Sequence, residues 1–303
     1  MGHRSLAIFF LVLFTINNSH SSSCCGGGNN APLVMTKEAI SLITILTKHS
    51  AITHYADENA KLTVGKNNYS SVTNNTDISG ILSINQRTQI SGLITYTKRI
   101  NSTVLKKEIS HGLNKLLFQL NYEFLPEYLY SSWRPRGFFF VNISHPLSKS
   151  IFESKKIYQT DAISNPQTSY SIGMLFKKNL NYFDILTSAS ISLHFPKNIK
   201  WNNKNLNAGD FFKLNYLVDF GYSPQESDFR FGLSLNYIYN SENMLSKYDK
   251  MPDSYLLSLG INFSYEHNDL IFGLNYADQS YLSFAKNNSL TKTVGLNLSK
   301  TFY

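Results

Sequence analysis

Nowhere in these 303 residues do about eighteen apolar side chains follow one another, the run an α-helix needs to cross a bilayer. The longest such run, Leu6 to Phe14, has nine residues. A helical membrane anchor is therefore excluded. Cysteine is almost missing: the two present are neighbours, Cys24 and Cys25, so the rest of the chain has no disulfide framework and no thiolate metal site. Adjacent Cα atoms sit about 3.8 Å apart, closer than a disulfide prefers, so a bridge within the pair is disfavoured. Lipid modification of Cys24 and a free exported pair both remain open. Charge is sparse too, at 16% of residues. No P-loop, Gly-rich dinucleotide turn, Gly-x-Ser-x-Gly elbow or His-Glu-x-x-His occurs. The eight histidines lack ligand spacing, since His49 and His54, five apart on a candidate strand, fall on opposite faces. No cofactor and no metal is expected.

What the chain does have is aromatics and alternation. It holds 21 Phe and 19 Tyr, residues favoured in strands and at membrane interfaces. In the stretch 229–239, Phe229, Phe231, Leu233, Leu235, Tyr237 and Tyr239 share one face, opposite Arg230, Gly232, Ser234, Asn236 and Ile238. The stretch 212–222 repeats this, with Phe212, Leu214, Tyr216, Val218, Phe220 and Tyr222 opposite Lys213, Asn215, Leu217, Asp219 and Gly221. Similar runs occupy 255–265, 270–276 and 290–298. These segments exceed the usual five or six residues of a soluble sandwich strand and match the roughly nine to eleven that cross a bilayer when tilted. Spreading apolar residues over alternate positions leaves the mean hydropathy at only −0.20. The expected fold is all-β, an antiparallel transmembrane β-barrel of about twelve strands.

The apolar run at 6–14, preceded by His3 and Arg4 and followed by small polar residues, reads as a signal peptide over 1–23. Residues 24–40 read as a periplasmic leader and 41–303 as the barrel, which places the protein in the bacterial outer membrane. The net charge is +8, yet Lys106, Lys107, Lys149, Lys155, Lys156, Lys197, Lys200, Lys204, Lys247 and Lys250 gather between strands rather than in a patch interleaved with aromatics. That points to basic loops beside phosphate-rich outer-leaflet lipid and lipopolysaccharide, and away from nucleic acid.

Further along the chain, 77–84 and 88–96 read as a hairpin about Gln86-Arg87, followed by a basic loop from Lys98 to about Ser110. The stretch 112–122 reads as a strand with Asn114, Leu116, Phe118, Leu120 and Tyr122 on its apolar side. The three phenylalanines at 138–140 read as a landing at the membrane interface. Segments 170–176 and 182–195 pair across a turn at 177–181, and the second turns Asp184, Leu186, Ser188, Ser190, Ser192 and His194 away from its apolar face. Phe302 is in phase with Val294, Leu296 and Leu298, and such an aromatic ending suits recognition by the barrel assembly machinery.

The stretch Leu125-Pro-Glu-Tyr-Leu-Tyr-Ser-Ser-Trp-Arg-Pro-Arg-Gly-Phe138, together with Ser144-His-Pro-Leu-Ser-Lys-Ser-Ile-Phe-Glu-Ser154, Cys24-Cys-Gly-Gly-Gly28 and Tyr276-Ala-Asp-Gln-Ser280, resembles a family of uncharacterised bacterial outer-membrane barrels. Where that family has Thr-Gly after the proline, this chain has Leu147-Ser148. More remotely it is similar to channels linked to aromatic-compound uptake. The resemblance implies transport and supplies no site residues.

The residues themselves give three functional readings. The first is a passive channel or transporter for small solutes, its lumen lined by Asp184, Lys213, Asp219, Arg230, Asn215, Asn236, Ser188 and Ser192. The second is a closed structural or adhesive barrel, in which the same residues form an internal ion-pair plug beneath basic loops. The third is a phospholipase-like enzyme using His145 or His194, although no His-Ser-Asn motif of that kind is present and no enzyme is expected.

Overall fold

Alternation fixes which side of each strand meets lipid, and closing the sheet removes the exposed edges that lipid cannot tolerate. A computed structural model describes residues 34–35, 39–64, 69–103, 106–126, 133–149, 167–180, 182–201, 204–224, 227–244 and 250–303. The signal-peptide reading of 1–23 lies outside them, as do Cys24 and Cys25. The strands are β1 (Ser41–Ala56), β2 (Leu62–Val64), β3 (Tyr69–Asn85), β4 (Thr88–Thr103), β5 (Lys107–Leu125) and β6 (Arg136–Pro146). They continue with β7 (Ser169–Leu180), β8 (Phe183–His194), β9 (Lys197–Trp201), β10 (Lys204–Ala208), β11 (Phe211–Tyr222) and β12 (Phe229–Asn240). The last are β13 (Asn243–Met244), β14 (Lys250–Met251), β15 (Ser254–His267), β16 (Leu270–Asp278), β17 (Ala285–Lys286) and β18 (Asn288–Phe302).

Setting aside the short β2, β9, β10, β13, β14 and β17, twelve antiparallel strands pair in one closed ring, each beside its neighbour in sequence and β1 beside β18. One rim carries Ser41 and Phe302, which are cross-strand partners. All the short extra strands lie toward the other rim, and with them Lys197, Lys200, Lys204 and Lys250. Two turns at the Ser41 rim are tight. Asn85 accepts hydrogen bonds from the Arg87 and Thr88 amides, and Asn268 and Asp269 take positive φ, the conformation a two-residue hairpin demands.

The outward face is apolar: Phe118, Leu296, Ile261 and Phe231 are all more than half exposed. Ring pairs gather at two levels. Phe183 with Tyr222 and Phe229 with Tyr265 ring the Ser41 rim, while Tyr170 with Phe195 and Tyr255 with Phe284 ring the other. An apolar band between two aromatic girdles is the outer surface of a membrane barrel.

Several local expectations are corrected. Most of the loop expected from Lys98 to Ser110 is strand, because β4 runs on to Thr103 and β5 begins at Lys107. The turn expected at 177–181 is strand as far as Leu180. Phe138 and Phe140 do not land on the interface; both are buried, packed with Leu175, Leu186 and Leu217 on the inner wall. Asn114, expected on the apolar side, is the extra residue of a β-bulge between the pairs Thr95–Lys115 and Tyr96–Leu113. The bulge reverses the inward and outward phase along β5, so that Leu113 faces out before it and Phe118 after it.

Candidate functional site: the barrel interior

Because neighbouring strands pair in register, inward positions of adjacent strands meet across the inner wall. Near the Ser41 rim, Arg230 of β12 reaches β8, where its Nε and Nη2 donate to the two carboxylate oxygens of Asp184 at 2.7 Å each. Its Nη2 also donates to Asp219 of β11, and its Nη1 donates to Asn262 of β15 at 2.6 Å. The Asn262 amide returns to Asp219 at 2.8 Å. Asp184 and Asp219 are 3% and 1% exposed, so the guanidinium is held by two buried carboxylates and its charge is more than matched. Gly221 lies under this bridge, where any β-carbon would overlap Asp184 and Arg230. A second pair at the same end joins Arg136 of β6 to Glu123 of β5 at 2.9 Å, and the Arg136 guanidinium also sits 4.9 Å from the Phe138 ring centre.

Between these pairs lies an apolar cluster of Phe138, Phe140, Leu175, Leu186 and Leu217. Val34 packs on it from the stretch 24–40 read as leader. Met35 and Ala39 of the same stretch pack against Leu42 and Ile81. The side chain of Gln89 holds Met35 both ways, accepting from its amide at 3.0 Å and donating to its carbonyl at 3.3 Å. The interior at the Ser41 end is thus narrowed by chain from outside the strands.

Further from that rim the interior is polar. Lys48 of β1 pairs with Asp77 of β3 at 3.1 Å, and Asp77 also accepts from Thr95. Lys115 of β5 lies within electrostatic reach of both Lys48 and Asp77, and Lys213 of β11 within reach of Lys115 and of His194. Ser171 donates to Ser192, the cross-strand partner of Lys213, at 2.7 Å. His194 stacks on Phe211 at 4.1 Å, and His145 pairs with Thr168 at 3.0 Å, so neither Nδ1 meets a serine.

Of the eight residues singled out from the sequence, the structure turns all onto the inner wall. It gathers Asp184, Asp219 and Arg230 into one cluster. Lys213 and Ser192 stand together toward the other end, and Asn215, Asn236 and Ser188 are buried between. The sequence reading missed Lys48, Asp77, Lys115, Glu123, Arg136 and Asn262. Asn262 was recoverable, since it lies in the polar phase of 255–265. Lys115 was recoverable too, since it lies opposite the apolar phase of 112–122, whereas Glu123 and Arg136 meet only across the connection 126–135.

No protein-family model matches the sequence, and no curated protein matches it either. Among solved structures, the barrel is similar to the COG4313 outer membrane channel from Pseudomonas putida F1, with a TM-score of 0.67 and 8% identity over 92% of this chain and 99% of that one. Weaker likenesses are to the translocator domain of the autotransporter NalP from Neisseria meningitidis, with a TM-score of 0.49 and 9% identity over 90% of each chain, and to the CymD monoaromatic hydrocarbon channel, with a TM-score of 0.44 and 10% identity over 88% of this chain and 89% of that one. At such identities the likeness establishes the fold, that of an outer-membrane β-barrel.

Proposed function

We propose that this chain is a passive outer-membrane channel for small solutes. The observation that carries the reading is the polar half of the interior, where Lys213, Lys115 and Ser192 project inward and are only partly buried, beside hydroxyl side chains such as Ser171 and Thr95. A twelve-strand ring lies between the small barrels that side chains fill and the sixteen-strand class that leaves a broad aqueous pore. The fold shared with a solved outer membrane channel agrees with the reading. In it, residues 1–23 serve export, the basic rim faces outer-leaflet lipid and lipopolysaccharide, the aromatic Phe302 in phase on β18 is read by the barrel assembly machinery, and the eight inward residues line the solute's path.

A second reading, a closed structural barrel, draws on a separate observation: Val34, Met35 and the apolar cluster occupy the Ser41 end. Planar-bilayer recording on the purified full chain separates the two. Discrete opening steps are expected of the channel, and their complete absence in a correctly folded preparation rules it out.

A further inference from the structure

The cations near the Ser41 rim are matched: Arg230 by Asp184 and Asp219, Arg136 by Glu123. Deeper in the polar half that matching stops. Lys48, Lys115 and Lys213 all project inward, and the carboxylate within reach of Lys115 is Asp77, already engaged by Lys48 and by the Thr95 hydroxyl. Among the described residues, neither Lys115 nor Lys213 makes a salt bridge or a side-chain hydrogen bond, and Lys115 has only the longer-range attraction of Asp77. They stand on different parts of the ring, yet close enough for their charges to interact. Two ammonium groups inside one lumen repel one another, a cost that an anion between them reverses. Neighbouring groups suit an oxyanion. Ser192 accepts the Ser171 proton and so keeps its own to donate beside Lys213.

We infer that Lys115 and Lys213 form an oxyanion-binding station inside the barrel, which takes the carboxylate or phosphate group of a small solute. The inference deepens the channel reading and rests on it, because the solute must reach the station through the lumen. The position of Lys115 depends on the Asn114 bulge, which turns the ammonium inward from a strand whose preceding phase would have pointed it at lipid.

The test is equilibrium binding of inorganic phosphate and, separately, of acetate to the detergent-purified full chain at low ionic strength, with folding checked by heat-modifiable gel migration. Wild type is expected to bind both. Lys213→Met should weaken binding at least tenfold, and Lys115→Met with Lys213→Met should abolish it. Lys213→Arg, which keeps the charge, should bind within a few-fold of wild type. Asp77→Asn should tighten binding, because it removes the carboxylate that attracts Lys115 while leaving all three lysines. Wild type that binds neither anion, or a double variant that binds as well as wild type, overturns the station. Opening steps without anion binding remove the station and keep the channel. Anion binding without opening steps keeps the station and removes the channel.

Discussion

Arg230 and Asp184, on strands separated by β11, meet through two parallel hydrogen bonds of 2.7 Å that pass over Gly221. The missing side chain at 221 is what lets them meet, so three inward positions of β8, β11 and β12 form one unit, extended to β15 by Asn262. Removing the guanidinium leaves Asp184 buried without its ion-pair partner. Arg230→Met should therefore destabilise the barrel by about 3 to 5 kcal/mol, the usual cost of stranding a buried charge. Asp184→Asn should cost less, since Arg230 keeps Asp219 and Asn262. Urea titration of vesicle-inserted protein, followed by heat-modifiable migration, ranks the two, and the opposite order would mean that Asp184 rather than Arg230 is the keystone.

The outer band makes a second prediction. Leu233 is 45% exposed near the middle of β12 and faces lipid. Leu233→Lys should cost about 2 to 4 kcal/mol at mid-bilayer depth. Ser234, the next residue, is buried on the inner wall and its replacement by Ala should be mild. Equal penalties at the two positions in the same unfolding assay would contradict the assigned faces.

Two glycines with contrasting surroundings give a third prediction. At Gly173 a β-carbon would run into the backbone oxygen of Ala189, the ring of Phe140 and the Ser190 side chain, whereas at Gly80 it would meet nothing within 4 Å. Gly173→Ala should cost about 1 to 3 kcal/mol by overpacking. Gly80→Ala should be neutral or stabilising, because it restricts the unfolded chain without a clash. Comparison of unfolding midpoints decides it, and a neutral Gly173→Ala would show that the Phe140 ring moves freely.

The barrel was legible in the sequence because its two faces meet different solvents, and every second residue of β8, β11 and β12 reports which solvent it faces. The same alternation placed Asp184, Asp219 and Arg230 inward without showing that they touch, since contact across β8, β11 and β12 depends on register and on the empty site at Gly221. Phe138-Phe-Phe140 misled for a physical reason. An aromatic run suits a girdle, but here two of its rings fill the inner wall beside Val34, a contact made by chain from outside the barrel strands. Asn114 was misplaced because it is one extra residue that reverses the phase of β5, and a bulge leaves no mark in composition.

The last prediction concerns Gln89, which grips the Met35 backbone through two hydrogen bonds in the interior near the Ser41 rim. Gln89 is itself 6% exposed, so the grip is sheltered from water. Gln89→Ala removes both bonds and leaves the Met35 amide and carbonyl to find other partners, a loss of about 1 to 3 kcal/mol for a buried polar group left unsatisfied. At about 2 kcal/mol the population of the docked arrangement falls roughly thirtyfold relative to the undocked one. Because Met35 and Val34 narrow the interior at this end, their release should raise single-channel conductance or the fraction of time spent open, while the barrel itself stays folded. Ser91, the next inward position of β4, is the control: its hydroxyl has no hydrogen-bond partner, so Ser91→Ala should leave both stability and conductance near wild type. An unchanged conductance in folded Gln89→Ala would show that the segment around Met35 does not limit flow, and the constriction would then be sought at Phe138 and Phe140.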